Sequence, residues 1–298
     1  MQVLCFGSLN VDHVYAVEHF VQAGETLSST TLHSGCGGKG LNQTIALARA
    51  GVPVRHAGLV GADDTLLRPL LEENGVDTTF VRTAEVPSGH AIIQVDAEGQ
   101  NCILLYSGAN HALTPAFIRE VLDTLEPGDI LLLQNEVNRV DELIREGAAR
   151  GLRIALNPAP ITPELAQVPM ELVEWLFVNE TEGAALSGET ESDRVMAALR
   201  QKYPRTTVVL TLGGDGVLAE NAQGSVQQPA LSVPVVDTTA AGDTFVGYFL
   251  AAVRAGADLT AALQTATTAS ALTVSRAGAA GSIPRMDEVE AYRAAHFG

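Results

Sequence analysis

The chain has 298 residues and carries 35 Asp and Glu against 18 Lys and Arg, a formal net charge of −17. A surface that acidic repels nucleic-acid backbones and anionic lipid, and no run of about 18 apolar residues offers a membrane span. With 46% hydrophobic and 18% charged residues, the composition is globular, and the length suffices for one large α/β domain or two small ones.

Met1 to Ser8 shows no basic n-region and no small-residue cleavage site, so secretion is not expected. Cys5, Cys36 and Cys102 are scattered and lack zinc spacing, as free thiols in a reducing, cytoplasmic setting would be. Val3 to Phe6 reads as a short strand ending at Gly7. From Gly40 the pattern turns helical, with Leu41, Ile45 and Ala48 on one face and Gly51 as the stop. Val54 to Val60 reads as a strand. Asp63 to Glu73 reads as a helix, capped by Asp63 or Asp64. His90 to Val95 and Cys102 to Tyr106 read as a hairpin across Asp96 to Gln100.

Thr114-Pro115 opens a helix, and Ile130 to Leu133 has the unbroken apolar character of a strand covered on both faces. Helix Asp141 to Arg150 precedes strand Arg153 to Leu156, and strand Trp175 to Val178 precedes a helical stretch to Lys202, interrupted near Gly188. Thr207 to Leu212 is another buried-type strand. Val217 to Ala219 and Val226 to Gln228 suggest a second hairpin. Helices follow over Gly242 to Ala255, over Leu259 to Ser275 and from Met286. This alternation predicts an α/β fold with a doubly wound, mainly parallel sheet in a single domain over 1–298. The polar β-type segments 11–34 and 89–107 break the rhythm and suit a small accessory sheet built from two pieces of chain.

In such sheets ligands sit beyond the carboxyl ends of the strands. Four strand ends here carry glycines and polar residues: Gly7-Ser8-Leu9-Asn10-Val11-Asp12, Gln134-Asn135-Glu136, Asn179-Glu180-Thr181-Glu182 and Leu212-Gly213-Gly214-Asp215-Gly216. Asp237-Thr238-Thr239-Ala240-Ala241-Gly242-Asp243 opens a helix on small residues, leaving its first N–H groups free as an anion cradle. Asp243 then either complements the helix dipole or serves as a general base beside a phosphate. Gly35-Cys36-Gly37-Gly38-Lys39-Gly40-Leu41-Asn42-Gln43 lets backbone approach a ligand and adds one cation and an amide; alone it reads as a glycine-rich helix cap. It is not a Walker A loop, since Gly40 follows the lysine. Gly-x-Gly-x-x-Gly fails at the first strand, which disfavours a dinucleotide enzyme.

Taken together, these motifs resemble the ribokinase family of carbohydrate kinases. The likeness is carried by Gly7 to Asp12, Gly24-Glu25-Thr26, Gly37 to Gln43, Asn179 to Glu182, Thr211-Leu212-Gly213 and Asp237 to Asp243, in the family's order along the whole chain. The resemblance implies a small β-sheet lid that closes over a sugar and pairs with a second lid in a homodimer. It implies transfer of the ATP γ-phosphoryl group to a sugar hydroxyl, with ribose as the first expectation. Deoxyribose, another sugar or a nucleoside remain alternatives, and a non-catalytic sugar-binding protein is a further one.

Residue by residue, the resemblance assigns Asn10, Asp12, Gly38, Lys39, Asn42 and Glu136 to the sugar, and Asp243 to the base. It assigns the N–H groups of Ala240, Ala241 and Gly242 to the phosphoryl oxygens. Asn179, Thr211, Gly213 and Gly216 fall to the nucleotide. Asn179 and Glu182 would organise Mg2+ through water. A K+ site would use Asp237 and Thr239 with Thr273, Arg276, Gly278 and Ser282, mostly through backbone carbonyls. Thr267 stands where some family members carry a histidine beside adenine, so that pocket lacks a stacking ring.

Overall fold

The computed structural model describes residues 1–62 and 64–297. Its larger sheet has nine strands: β1 (Val3–Phe6), β4 (Val54–Val60), β5 (Asp77–Thr83), β8 (Ile130–Gln134), β9 (Arg153–Asn157), β10 (Trp175–Asn179), β11 (Thr207–Thr211), β12 (Val217–Asn221) and β13 (Gly224–Gln228). Their order is β13-β12-β11-β10-β9-β8-β1-β4-β5. All neighbouring pairs from β11 to β5 are parallel, and the β12–β13 hairpin adds an antiparallel edge. The chain leaves β1 in one direction toward β4 and β5, then returns to build β8 to β11 on the other side. The crevice between β1 and β8 is therefore the switch point of a doubly wound sheet.

Alternation along the central strands feeds two cores. Val3 and Cys5 of β1, Ile130 and Leu132 of β8, and Trp175 and Phe177 of β10 face one layer. That layer holds α1 (Lys39–Arg49), α7 (Ala241–Arg254) and α8 (Leu259–Val274). Leu4, Phe6, Leu131, Leu133, Leu176 and Val178 face the other, with α3 (Pro115–Leu122), α4 (Val140–Ala149) and α6 (Ser192–Lys202). Burial on both faces explains the unbroken apolar runs of these strands.

A second sheet of four strands, in the order β3-β2-β6-β7, joins β2 (Asn10–Ala16) and β3 (Thr31–Gly37) to β6 (Gly89–Val95) and β7 (Asn101–Tyr106). β2 pairs parallel with β6, and the two hairpins are antiparallel. Its outer strand leaves Ile103, Leu104, Leu105 and Tyr106 exposed.

Two elements depart from the sequence expectations. Strand β5 has no counterpart in them: it is a polar edge strand in which Val81 alone is buried, so little periodicity marks it. Helix α2 spans only Leu67–Glu73, because Asp64 ends the preceding turn by accepting the N–H groups of Leu66, Leu67 and Arg68 at 3.1, 2.8 and 3.1 Å. The other candidate cap, Asp63, lies outside the described residues.

One helix contact places the site. A Cβ on Gly247 of α7 would fall 2.4 Å from the Ala46 Cβ of α1, so the two helices touch with nothing between them. One turn before that contact, toward each N-terminus, lie Asn42 and Gln43 on α1 and Asp243 on α7.

Candidate active site

Helix α1 begins hard against the end of β1: a Cβ on Gly40 would lie 2.3 Å from the Ser8 nitrogen. Its N-cap, Gly38, has φ 94° and no side chain to offer. The cap comes instead from Glu136, beyond β8. Its Oε2 accepts the Lys39 N–H at 2.9 Å and the Ser8 hydroxyl, while Ser8 Oγ accepts the Gly40 N–H at 3.1 Å. Burial pushes the Glu136 carboxyl above its ordinary range, against the opposing pull of Lys39. One carboxylate oxygen of Glu136 thus serves the protein's own cap, and Oε1 accepts no hydrogen bond from the described residues.

Lys39 sits among carboxylates. Asp243, followed by Glu136 and Glu182, holds its ammonium above the ordinary value despite burial. Asp12, on β2, has its pKa pushed up to about 6 by burial and by Glu136. Asn10 is buried at the start of β2, its Oδ1 accepting from Asn110 Nδ2 at 2.7 Å. Asn10, Asp12, Gly38, Lys39 and Glu136 therefore gather where the smaller sheet meets the β1–β8 crevice.

The N-cap of α7, Ala240, has φ 61°, a left-handed conformation that alanine adopts at a cost, and the helix carries no side-chain cap. The Ala241 N–H makes a long bond of 3.3 Å to the Thr238 carbonyl. Gly242 is exposed, and nothing lies within 4 Å of the place a Cβ would take. Asp243 is buried, with Oδ2 accepting from Asn42 Nδ2 at 3.1 Å and Oδ1 from Gln43 Nε2 at 2.9 Å. Lys39, Asn179, Glu182, Thr211 and Ala240 to Asp243 line one cleft.

Asn179 and Glu182 form a capping box at the start of α5 (Glu180–Ser187). Asn179 Oδ1 accepts the Glu182 N–H at 2.8 Å; Glu182 Oε2 accepts the Asn179 N–H at 3.0 Å, and Oε1 accepts from Asn179 Nδ2 at 3.1 Å. The capping role accounts for the spacing by itself. The half-buried carboxylate keeps lone pairs toward the cleft, which fits an ion held through water. Among the described residues, no three His, Cys, Asp or Glu side chains group closely enough to hold a metal by themselves.

Gly213, Gly216 and Thr267 do not line this cleft. Gly216, at φ 100°, is required locally, since its Cβ would fall 2.2 Å from the Gln228 carbonyl oxygen. Thr267 is buried in α8 with its hydroxyl unpaired. The segments read as a cation loop do meet. Asp237 Oδ2 accepts the Gly278 N–H at 2.9 Å, and the Val236 N–H donates to the Val274 carbonyl at 2.8 Å. Asp237 Oδ1 also accepts the Thr239 N–H at 2.9 Å and hydroxyl at 2.7 Å, the geometry of a turn cap. Partial burial would raise the Asp237 pKa, but these three donors outweigh it and hold the carboxyl below its ordinary value. Thr273 and Ser282 are buried. The Thr273 carbonyl already accepts the Arg276 N–H at 3.1 Å, and the Ser282 hydroxyl donates to the Ala279 carbonyl at 2.7 Å.

Several residues at the site escaped sequence reasoning. Ser8, Gln43 and Gln134 lie inside the quoted motifs without an assigned role, and Asn110 and Asn157 are held there by the fold alone. His56 is wholly buried, with Nδ1 2.8 Å from the Thr44 hydroxyl oxygen and Nε2 3.3 Å from the Gly7 carbonyl oxygen. Burial pushes its pKa down to about 4, so it is neutral and ties β4 to both β1 and α1.

Residues 1–286 match the family model for pfkB family carbohydrate kinases. The chain is 37% identical over 296 residues to the ribokinase of Bacillus subtilis, covering 97% of this chain and 99% of the relative. The crystal structure of a ribokinase from Thermotoga maritima superposes with a TM-score of 0.88 at 36% identity, covering 98% of this chain and 99% of the other. A ribokinase of Arabidopsis thaliana, solved with ribose and ATP, gives a TM-score of 0.88 at 28% identity, with 97% of each chain covered. The chain belongs to the pfkB family of carbohydrate kinases, in its ribokinase-like branch.

Proposed function

We propose that this enzyme is an ATP-dependent ribokinase, converting D-ribose to ribose 5-phosphate. The observation that carries the reading is the position of Asp243: buried, aligned at both oxygens, and in one cleft with Lys39 and the uncapped N-terminus of α7. The likeness to ribokinases over nearly the whole chain supports ribose as the sugar.

In this mechanism Asn10, Asp12, Lys39, Asn42 and Glu136 hold the sugar hydroxyls, with Gly38 giving backbone access. Asn42 Oδ1 is buried without a partner, which suits an acceptor waiting for a hydroxyl. Asp243 takes the proton from the primary hydroxyl as its oxygen attacks the γ-phosphorus and the bond to the ADP oxygen breaks. The N–H groups at Ala240, Ala241 and Gly242 meet the charge on the phosphoryl oxygens. Asn179, Thr211, Gly213, Gly216 and Thr267 are assigned to the nucleotide. Glu182, with Asn179, would hold Mg2+ through water, and the ion would supply charge neutralisation on the phosphates.

The same reading includes a K+ site at Asp237, Thr239, Thr273, Arg276, Gly278 and Ser282. It includes closure of the sheet 11–34 and 89–107 as a lid, in a homodimer supported by the exposed apolar side chains of β7. The three cysteines are all free, which supports a cytoplasmic setting.

The test is turnover with ATP on ribose, deoxyribose, fructose and adenosine, in the wild type and in Asp243→Asn. Ribose should give the highest kcat/KM, and the variant should lose about 10²–10⁴-fold in kcat while still binding sugar. Wild-type turnover in the variant refutes the mechanism; preference for another acceptor refutes ribose alone.

A further inference from the structure

Asn42 and Gln43 are neighbours on α1, yet their amides are placed differently. Asn42 spends one N–H on Asp243 and leaves its Oδ1 unpaired. Gln43 is wholly buried and has every polar group engaged inside the protein. Its Nε2 donates to Asp243 Oδ1 at 2.9 Å and to Asn157 Oδ1 at 3.4 Å, and its Oε1 accepts from Gln134 Nε2 at 2.7 Å. Nothing of Gln43 is left over for a substrate.

The orientation of each amide follows from chemistry. An ionised carboxylate only accepts, so Asp243 obliges Gln43 to present its NH2 group. The Gln43 oxygen then faces Gln134, which must present its own NH2 group. Gln134 closes β8 and rests on Cys5 of β1, 3.5 Å from its Nε2. Asn157 closes β9 and donates to the Phe177 carbonyl of β10 at 3.0 Å. Both supports of Gln43 thus come from the ends of central, fully flanked strands. A carboxylate held at one oxygen turns about its Cβ–Cγ bond; held at both, its plane is fixed.

We infer that Gln43 is a positioning residue that sets the plane of the Asp243 carboxylate, and that Gln134 acts through it. The inference rests on the reading of Asp243 as the general base. Both glutamines are buried and neither lines the cleft, so their loss should act on the chemical step and not on binding.

The test uses the full-length enzyme with Gln43→Met, Gln134→Met, the double variant and Asp243→Asn, reading kcat, both KM values and Tm. Gln43→Met should lose about 10–100-fold in kcat, the scale of a misplaced reacting group, with both KM values within about threefold of wild type. Gln134→Met should lose less, and nothing further in the Gln43→Met background. A kcat within twofold of wild type in Gln43→Met overturns the inference. So does a rise in sugar KM that matches the fall in kcat, or an additive double variant. Should Gln43→Met fail to fold, Gln43→Glu keeps its size but sets an acceptor against Asp243; the same kcat loss is expected, and wild-type kcat overturns the proposal. Asp243→Asn separates the two failures. Wild-type turnover there removes the base itself, whereas low turnover there with full turnover in Gln43→Met removes only the positioning role.

Discussion

Asp12 is the residue through which pH should reach the sugar. Its pKa is raised from an ordinary 3.8 to about 6 by burial first and by Glu136 second. Between these two values the native state binds more protons than the unfolded chain. The Asp12 contribution to stability therefore declines as pH rises from about 4 to about 6 and stays flat above that window. Sugar binding should run the other way, because the ionised carboxylate is the better hydroxyl acceptor. Calorimetric sugar affinity should fall as pH drops below about 6, and Asp12→Asn should abolish that dependence. A wild-type affinity flat from pH 5 to 8 would rule this out. The pKa shift was not readable in the sequence, where Asp12 is a strand-end residue that the resemblance assigns to the sugar. The shift comes first from the burial of Asp12 in the fold and then from Glu136, 124 positions further along the chain. Asn42 and Asp243 could be picked out because they sit in dense local patterns. Gln134 was marked only as part of a polar strand end, and its role was not legible, since a glutamine ending an apolar strand looks the same whether it supports a site or not.

At the scale of elements, the meeting of α1 and α7 decides whether the site assembles. Gly247→Ala drives a methyl group into Ala46. It should destabilise the fold by about 1–3 kcal/mol and lower kcat more than either KM, because Asp243 is displaced from Asn42 and Gln43. Ala46→Gly should restore much of both losses in the double variant, measured by thermal unfolding and steady-state kinetics. The two segments linked by Asp237 and Gly278 make a second element-scale prediction. With a cation seated there, activity should rise saturably with potassium at fixed ionic strength and magnesium, and Asp237→Ala should remove the dependence. If Asp237 only caps its turn, that variant lowers Tm and potassium never matters; equal activity in sodium, potassium and lithium is the deciding result. Strands such as β8 and β10 were legible in the sequence because burial on both faces leaves an unbroken apolar run. β5 was not, because an edge strand with one buried side chain carries almost no pattern. The pairing of β2 with β6 was anticipated only as two pieces of chain that failed to fit the βα rhythm, and its parallel register required the fold.

For the whole molecule, the net charge of −17 and the site oppose each other. α1 and α7 bring their N-terminal ends and Lys39 to one place, a short-range set of donors among the carboxylates of Asp243, Glu136 and Glu182, inside an anionic body. The two fields differ in reach. Helix-end charges act within about a turn, whereas the body's charge extends over a Debye length of about 30 Å at 0.01 M salt and about 8 Å at 0.15 M. An approaching nucleotide polyanion therefore meets repulsion before it meets the site. The encounter rate of ATP should increase as salt is added across this range, opposite to the behaviour of enzymes that steer their substrates electrostatically. Stopped-flow binding of a fluorescent ATP analogue would measure it, and an uncharged sugar should show no such acceleration. An ATP association rate that falls with salt would mean that the cleft's own field dominates at long range. The uncapped end of α7 would thus retain the nucleotide once it arrives, while the speed of its arrival is left to the ionic strength of its surroundings.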